Sequence, residues 1–293
     1  MIKTLRLGVV LFALSFLTVN CSKDKEKDPE PVVEEESACY ITREVFNNPS
    51  TGFAQTREFV YGDDRLLVIN ETTNLPTPTT LNIVAEYDAR GRVSRTLFLD
   101  KGKEVQYYTF EYDDQDLLRK INWYMERPDG TLRLHSAREL GYNAQKQIIT
   151  VRNYLLVTQT PLLIGDATYI YDEKDNLVRS REYRVLSSRE SEILNDIVIN
   201  VRYTHDDKIN PLHEIPYLLY TNPNSLAATL SKNNSVTVTS ETTLEGTQKG
   251  PGTFNLASFN FSRSYTHTYS DQNRPVIRTG ADGTTTVFDY VCE

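Results

Sequence analysis

Tyr87-Asp88-Ala89-Arg90-Gly91-Arg92-Val93 and Tyr171-Asp172-Glu173-Lys174-Asp175-Asn176-Leu177 are two copies of one pattern: a tyrosine, a short polar stretch, then an apolar residue. Further copies start at Tyr61, Tyr112, Tyr142 and Tyr203, with a weaker one at Tyr269, and the first six tyrosines stand 26, 25, 30, 29 and 32 residues apart. Self-similarity at a near-constant period signals a chain built from repeated supersecondary units. In each copy the tyrosine closes a β-prone run such as Tyr107-Tyr108-Thr109-Phe110-Glu111-Tyr112. Asp, Asn or Gly follows, because a short polar side chain bonds nearby amides and Gly or Asn accepts a positive φ. A second alternating run begins at the apolar residue. One copy is therefore one β-hairpin, and the rest of each period returns the chain for the next.

No long apolar pattern of helical period separates the copies, so parallel βαβ units are not expected. The prediction is one all-β domain over residues 38–293. It should be an antiparallel up-and-down meander of a dozen or more strands, forming a curved sheet or an open or closed barrel. One segment breaks the β pattern, Asn210-Pro211-Leu212-His213-Glu214-Ile215-Pro216-Tyr217-Leu218-Leu219-Tyr220. Asn before Pro is a helix start, which predicts a short helical or irregular insert near 210–230, with its apolar side chains in the core at one end of the sheet. Gly246-Thr247-Gln248-Lys249-Gly250-Pro251-Gly252 lacks the context of a phosphate loop and reads as a hairpin connection.

Tyr87-Asp88-Ala89-Arg90-Gly91-Arg92-Val93 resembles the Y-D-x-x-G-R-L core of YD (RHS-type) repeats, and Tyr169-Ile170-Tyr171-Asp172-Glu173-Lys174-Asp175-Asn176-Leu177-Val178 is similar to their Y-x-Y-D-x-x-G-N-L-V form, with Asp175 at the Gly position. The resemblance spans about residues 55–210 and 265–290. It implies a shell or β-sheet scaffold and no activity. With the features of the N-terminus described next and Asp206-Asp207-Lys208-Ile209-Asn210-Pro211-Leu212, the chain also resembles Bacteroidota surface lipoproteins of unknown function with a porin-like β-fold.

The first residues, MIKTLRLGVVLFALSFLTVNC, carry Lys3 and Arg6 ahead of an apolar run too short to span a bilayer, which reads as an export signal over residues 1–20. Leu17-Thr18-Val19-Asn20-Cys21 resembles a lipobox, although Asn20 is larger than the usual residue there, and the resemblance implies a lipidated Cys21. Residues 21–37 carry seven acids and three lysines with little apolar surface, a solvated, flexible spacer. An acidic run behind a lipobox resembles a surface-export signal, which favours an outer-membrane lipoprotein facing the cell surface over one facing the periplasm. A generic charged linker is the alternative.

The 293 residues are 39% hydrophobic and 25% charged, with net charge −8. Losing Lys3 and Arg6 takes the mature chain to −10, and the tether leaves −6 for the domain. Nucleic-acid phosphates attract clustered Lys and Arg, so a nucleic-acid partner is not expected. If Cys21 carries lipid, Cys39 and Cys292 remain, near the two ends of the domain in an oxidising compartment, where a disulfide would fasten first strand to last. Two free buried thiols are the alternative. His135, His205, His213 and His267 are scattered, and neither HExxH nor GxSxG occurs. His205, Asp206, Asp207 and His213 cluster in sequence, but the two acids occupy the turn position of the repeat. Catalytic residues, a metal and a cofactor are therefore not expected.

One pattern goes beyond turns. Two residues past the apolar end stand Arg95, Lys120 and Arg179, with Arg152 and Arg181 two further on in their copies. Period-2 alternation predicts that they share a strand face with Tyr87, Tyr112 and Tyr171. Such a row could stack on sugars or pair with anions, and otherwise solubilises the sheet. The expected function is a non-catalytic binding or scaffold role on a lipid-anchored envelope protein, touching the membrane through its N-terminal lipid only and taking a glycan or protein ligand. A glycan hydrolase or a purely structural assembly role is the alternative. A membrane-spanning pore fits poorly, because segments such as Ser180-Arg181-Glu182-Tyr183-Arg184 put charge on both faces.

Overall fold

The tyrosine turns form as local chemistry dictates. Asp88 Oδ1 accepts from the amides of Arg90 (2.9 Å) and Arg92 (3.0 Å), and Asp113 and Asp172 repeat this arrangement. The residue that must turn left-handed is Gly91 in one copy (φ 78°), but Asp116, Lys146 and Asp175 in others (φ 60–63°), so the side-chain cap rather than glycine is the constant element.

The computed structural model describes residues 39–292 except 64, 157–159, 189–190, 215 and 246–254. The leader, Cys21, the tether and the glycine-rich connection at 246–252 lie outside the described residues. Among those described, sixteen strands run in order: β1 (Cys39–Asn48), β2 (Phe53–Gly62), β3 (Arg65–Thr73), β4 (Thr79–Tyr87), β5 (Val93–Asp100), β6 (Lys103–Tyr112), β7 (Leu118–Glu126), β8 (Leu132–Tyr142), β9 (Ile148–Leu155), β10 (Leu162–Tyr171), β11 (Leu177–Ser188), β12 (Ser191–Ile209), β13 (Asn233–Leu244), β14 (Ser262–Tyr269), β15 (Pro275–Gly280) and β16 (Thr285–Cys292). Each pairs antiparallel with its sequence neighbours, and β1 pairs with β16, closing the barrel. Closure removes the free edges that an open meander would expose. Cys39 and Cys292 are cross-strand partners at that seam and are joined as a disulfide.

A second device recurs at the tyrosine turns. Tyr87 pairs with Val93, but Glu86 pairs with Arg95, leaving Ser94 as an extra residue. The same bulge sits between Glu111 and Tyr112 and between Ile170 and Tyr171. Each bulge turns the tyrosine into the lumen, where its hydroxyl reaches back to the previous hairpin: Tyr87 to Leu66 O, Tyr112 to Val93 O, Tyr142 to Leu118 O and Tyr171 to Ile148 O, all at 2.7–2.8 Å. Tyr61 to Ile41 O and Tyr290 to Pro275 O, both 2.9 Å, carry the ladder to the seam.

The predicted insert is α1 (Pro211–Glu214), α2 (Tyr217–Thr221) and a 3-10 helix (Pro223–Thr229). Asn210 caps its start, Oδ1 accepting from Leu212 N at 3.1 Å, while Nδ2 donates to Ala228 O and Ser231 O at the far end. The insert fills the tyrosine end of the lumen. Leu212, Tyr217 and Leu218 pack on Ile41, Phe59, Ile83, Phe98 and Phe288, and Leu226 and Leu230 join the cluster of Ile121, Val151 and Tyr169. A polar latch adds direction. Largely buried Arg57 bonds Glu71 at 2.8 Å and Glu44 at 3.2 Å, and Tyr217 of α2 donates to Glu44. Burial opposes the Arg57 charge, but Tyr217, Glu44 and Glu71 together hold its pKa above the ordinary value.

Candidate functional site

Strand pairing decides where the sequence-predicted residues go. Paired residues share a face, and the bulges put Arg95, Lys120 and Arg179 opposite Glu86, Glu111 and Ile170 rather than opposite the tyrosines. The expected common row of Tyr and Arg therefore does not form. Tyr87, Tyr112 and Tyr171 point inward, while Arg95, Lys120, Arg179, Arg181 and Arg152 stand on the outer wall. Period-2 counting fails here because each bulge inserts one uncounted residue. Arg95 lies 4.0 Å from the Tyr107 ring and pairs with Glu104 at 2.7 Å, and Arg181 approaches Glu245 at 3.7 Å. Lys120 belongs to a register of alternating charge, Glu111–Lys120–Glu139–Arg152–Asp166, running across five strands.

Asp206 serves its surroundings. Oδ1 accepts from Lys208 N at 2.9 Å and Asn234 N at 3.2 Å, and Oδ2 accepts from Tyr269. Among the described residues no group of three or more His, Cys, Asp or Glu is arranged to hold a metal.

The inner wall holds what sequence reading missed. Past the insert, the lumen contains a chamber of about 600 Å³, bounded by strands of the β6–β11 wall and by the 3-10 helix through Pro223, Asn224, Leu226 and Ala227. That is a volume suited to a small organic ligand. Trp123, the one tryptophan of the chain, lies in its wall, 4.7 Å from the His135 ring and stacked on Tyr108 at 6.3 Å. Burial, then the charge of Arg127, lowers the His135 pKa, which keeps the imidazole neutral near pH 7.

Arg138 is the electrostatic centre of this chamber. Its guanidinium donates to Asn224 and shares the chamber lining with Tyr108 and Tyr169, and among the described residues no carboxylate pairs with it. Burial lowers its pKa, and neighbouring Arg184 adds to the effect. Arg184 is half-exposed and pairs with Glu182 at 2.6 Å. Asp166 borders the chamber but stands in the outward row with Arg152 and Tyr183, so Glu182 is the acid whose strand position faces in. His135 Nδ1 and Asn153 Oδ1 are buried in the chamber wall with no hydrogen-bond partner. Buried polar atoms are rarely left so, and this wall holds hydrogen-bonding capacity the barrel does not use itself. No local sequence signal marks this wall, whose residues come from separate strands.

The barrel is similar to a solved porin-like protein from Bacteroides uniformis ATCC 8492, with a TM-score of 0.53 and 11% sequence identity over 86% of this chain and 98% of that one. The fold is porin-like. A second porin-like protein, from Bacteroides vulgatus ATCC 8482, aligns over 87% of this chain and 99% of that one at 9% identity and a TM-score of 0.45. No protein-family model and no curated protein matches the sequence. Among the described residues no helix is long and apolar enough to cross a membrane, which says nothing of strands. The outer wall does bear on that question. Membrane barrels face lipid with an apolar band, and a charge at mid-bilayer costs about 2–4 kcal/mol for Arg or Lys. This porin-like barrel turns Arg95, Lys120, Glu139, Arg152 and Arg181 outward.

Proposed function

We propose that this chain is a lipid-anchored binding protein of the outer membrane, facing the cell surface, whose barrel stands in water and takes an anionic, ring-bearing ligand into its lumen. The single observation that carries the binding reading is Arg138, a partly buried guanidinium that no carboxylate of the described residues pairs with, in a chamber walled by Trp123, Tyr108 and Tyr169. A guanidinium that has lost part of its water and gained no counter-ion favours an incoming carboxylate or sulfate, and aromatic walls favour a ring beside it. The export signal, Cys21 and the acidic tether support the anchoring. The charged outer wall supports a barrel held beside the membrane rather than in it, and the capped hairpins support reading the repeats as degenerate YD units.

Binding accounts for the chamber better than hydrolysis does. Glycoside hydrolysis needs two carboxyls flanking the bond, whereas the chamber's inward acid is Glu182, already engaged by Arg184. The test uses Trp123 as reporter. Galacturonate titrated into the full chain in mild detergent should change tryptophan fluorescence saturably, galactose should not, and Arg138→Met should abolish the response with the melting transition retained. A flat galacturonate titration to millimolar concentration overturns the reading.

A further inference from the structure

A second chamber of about 380 Å³ lies between the insert and the inner wall of β12–β16. It too is lined by arginines. Arg278 lies 5.3 Å from the Tyr265 ring and donates to Thr286 Oγ1 at 2.9 Å, and Arg263 lies 4.8 Å from the Phe261 ring. Among the described residues neither has a carboxylate within ion-pairing distance. The two chambers adjoin, and Arg184, Asn224 and Ala227 border both. Four arginines thus line this two-chamber trough, in a domain whose net charge is −6; among the described lining residues Glu182 is the acid whose strand position faces in, and Asp282 stands near Arg263. Concentrating like charge on an inner wall is self-repelling and does nothing for solubility. A bound polyanion removes the repulsion.

We propose that the lumen binds an acidic oligosaccharide engaging both chambers, one acidic ring at Arg138 and another at Arg278, with Arg184 between them. This deepens the binding reading above and rests on it. Each chamber of the trough brings an arginine and aromatic rings into one lining, Arg138 with Trp123, Tyr108 and Tyr169, then Arg278 with Tyr265 at 5.3 Å. That repetition matches a ligand that itself repeats, ring plus acid, better than it matches two unrelated small anions.

The test is calorimetric titration of the full chain in mild detergent with galacturonate, digalacturonate, tetragalacturonate and the neutral galactotetraose. The tetramer should bind about tenfold or more tighter than the monomer, as one further charge-assisted contact provides. Galactotetraose should not bind, and the gain should shrink in 0.5 M salt. Arg278→Met should bring the tetramer back to within twofold of the monomer. Arg278→Lys, which keeps the charge, should recover part of the gain and guards against a folding defect. Equal affinity for monomer and tetramer, or an Arg278→Met chain that keeps the gain, overturns the extended trough while leaving the single-chamber reading standing. No binding by any of the acids overturns both.

Discussion

The Tyr112 hydroxyl donates to the carbonyl oxygen of Val93 at 2.8 Å, and Val93 is the residue paired with Tyr87 in the preceding hairpin. Tyr61, Tyr87, Tyr112, Tyr142, Tyr171 and Tyr290 each close in this way on the residue facing the preceding tyrosine around the barrel, and the ladder welds hairpins that strand pairing alone would join. Replacing Tyr112 by Phe removes one largely buried hydrogen bond and leaves the carbonyl without its donor. The expected loss is about 1 kcal/mol, read from chemical denaturation. Tyr87→Phe combined with it should lose about twice that. A neutral Tyr112→Phe would mean that the ladder records geometry without adding stability.

The same phenols set the alkaline limit. Burial raises the pKa of Tyr61, Tyr112, Tyr142, Tyr171 and Tyr290, and that of Tyr203 is pushed up to about 12. Above pH ~10 the unfolded chain sheds phenolic protons that the barrel retains, so stability falls as pH rises from there. At the acid end, hydrogen bonding from Arg92 holds the Asp88 carboxyl below its usual range, the Leu117 amide does so for Asp113, and Thr284 for Asp282. Those contributions are present above pH ~4 and are lost below it. Melting temperature against pH should therefore plateau between these limits. A barrel that melts no earlier at pH 11 than at pH 9 would contradict the buried ladder.

The repeat was legible because each copy is local: a tyrosine, its cap at Asp88, Asp113 or Asp172, and an apolar residue lie within seven positions. The insert was legible for the same reason, since Asn210-Pro211 is a start signal written in two adjacent residues. What could not be read were matters of one residue or of long range. Ser94 and its equivalents flip a whole strand's facing, and nothing in their identity marks them as bulges. The chamber assembles Trp123, Arg138, Asn153 and Arg184 from separate strands, and the latch joins Glu44 to Tyr217 across 173 residues. No spacing rule links such positions before the barrel's closure brings them together.

That latch gives a third prediction. Arg57→Met strands buried Glu44 and partly buried Glu71, and breaking a buried ion pair by removing one partner costs about 3–5 kcal/mol at most for such a site. Tyr217→Phe should be milder, near 1–2 kcal/mol, because the Arg57 pairs survive. Denaturation midpoints give the ranking. If Arg57→Met costs less than Tyr217→Phe, the insert is held by its leucines and the latch is incidental.

The disulfide joins residues 253 apart at the seam where β1 meets β16. Constraining so long a loop restricts the unfolded chain, and removing such a bond typically costs about 2–5 kcal/mol. Cys39→Ser should therefore lower the denaturation midpoint, and a reductant should lower the parent's midpoint without further affecting the variant. Equal midpoints for parent and variant under oxidising conditions would show that strand pairing alone seals the barrel.

Gly165 ties the fold to the chamber. It is buried in the chamber wall on β10, beside a bulge in the β9 pairing, and a Cβ there would stand 2.8 Å from the backbone oxygen of Tyr183 and 3.8 Å from the Asn153 amide nitrogen. Backbone cannot swing aside as a side chain can, so β10 and β11 would have to separate locally. Gly165→Ala should cost about 1–3 kcal/mol, as overpacking does. It should also shift Trp123 fluorescence in the unliganded protein, since the displaced strands form the wall facing the indole. Gly141→Ala is the comparison, because its added methyl meets only the Thr150 side chain, which can rotate. Equal destabilisation by the two alanines, with the tryptophan signal unchanged, would mean that the close approach of β10 and β11 does not shape the chamber.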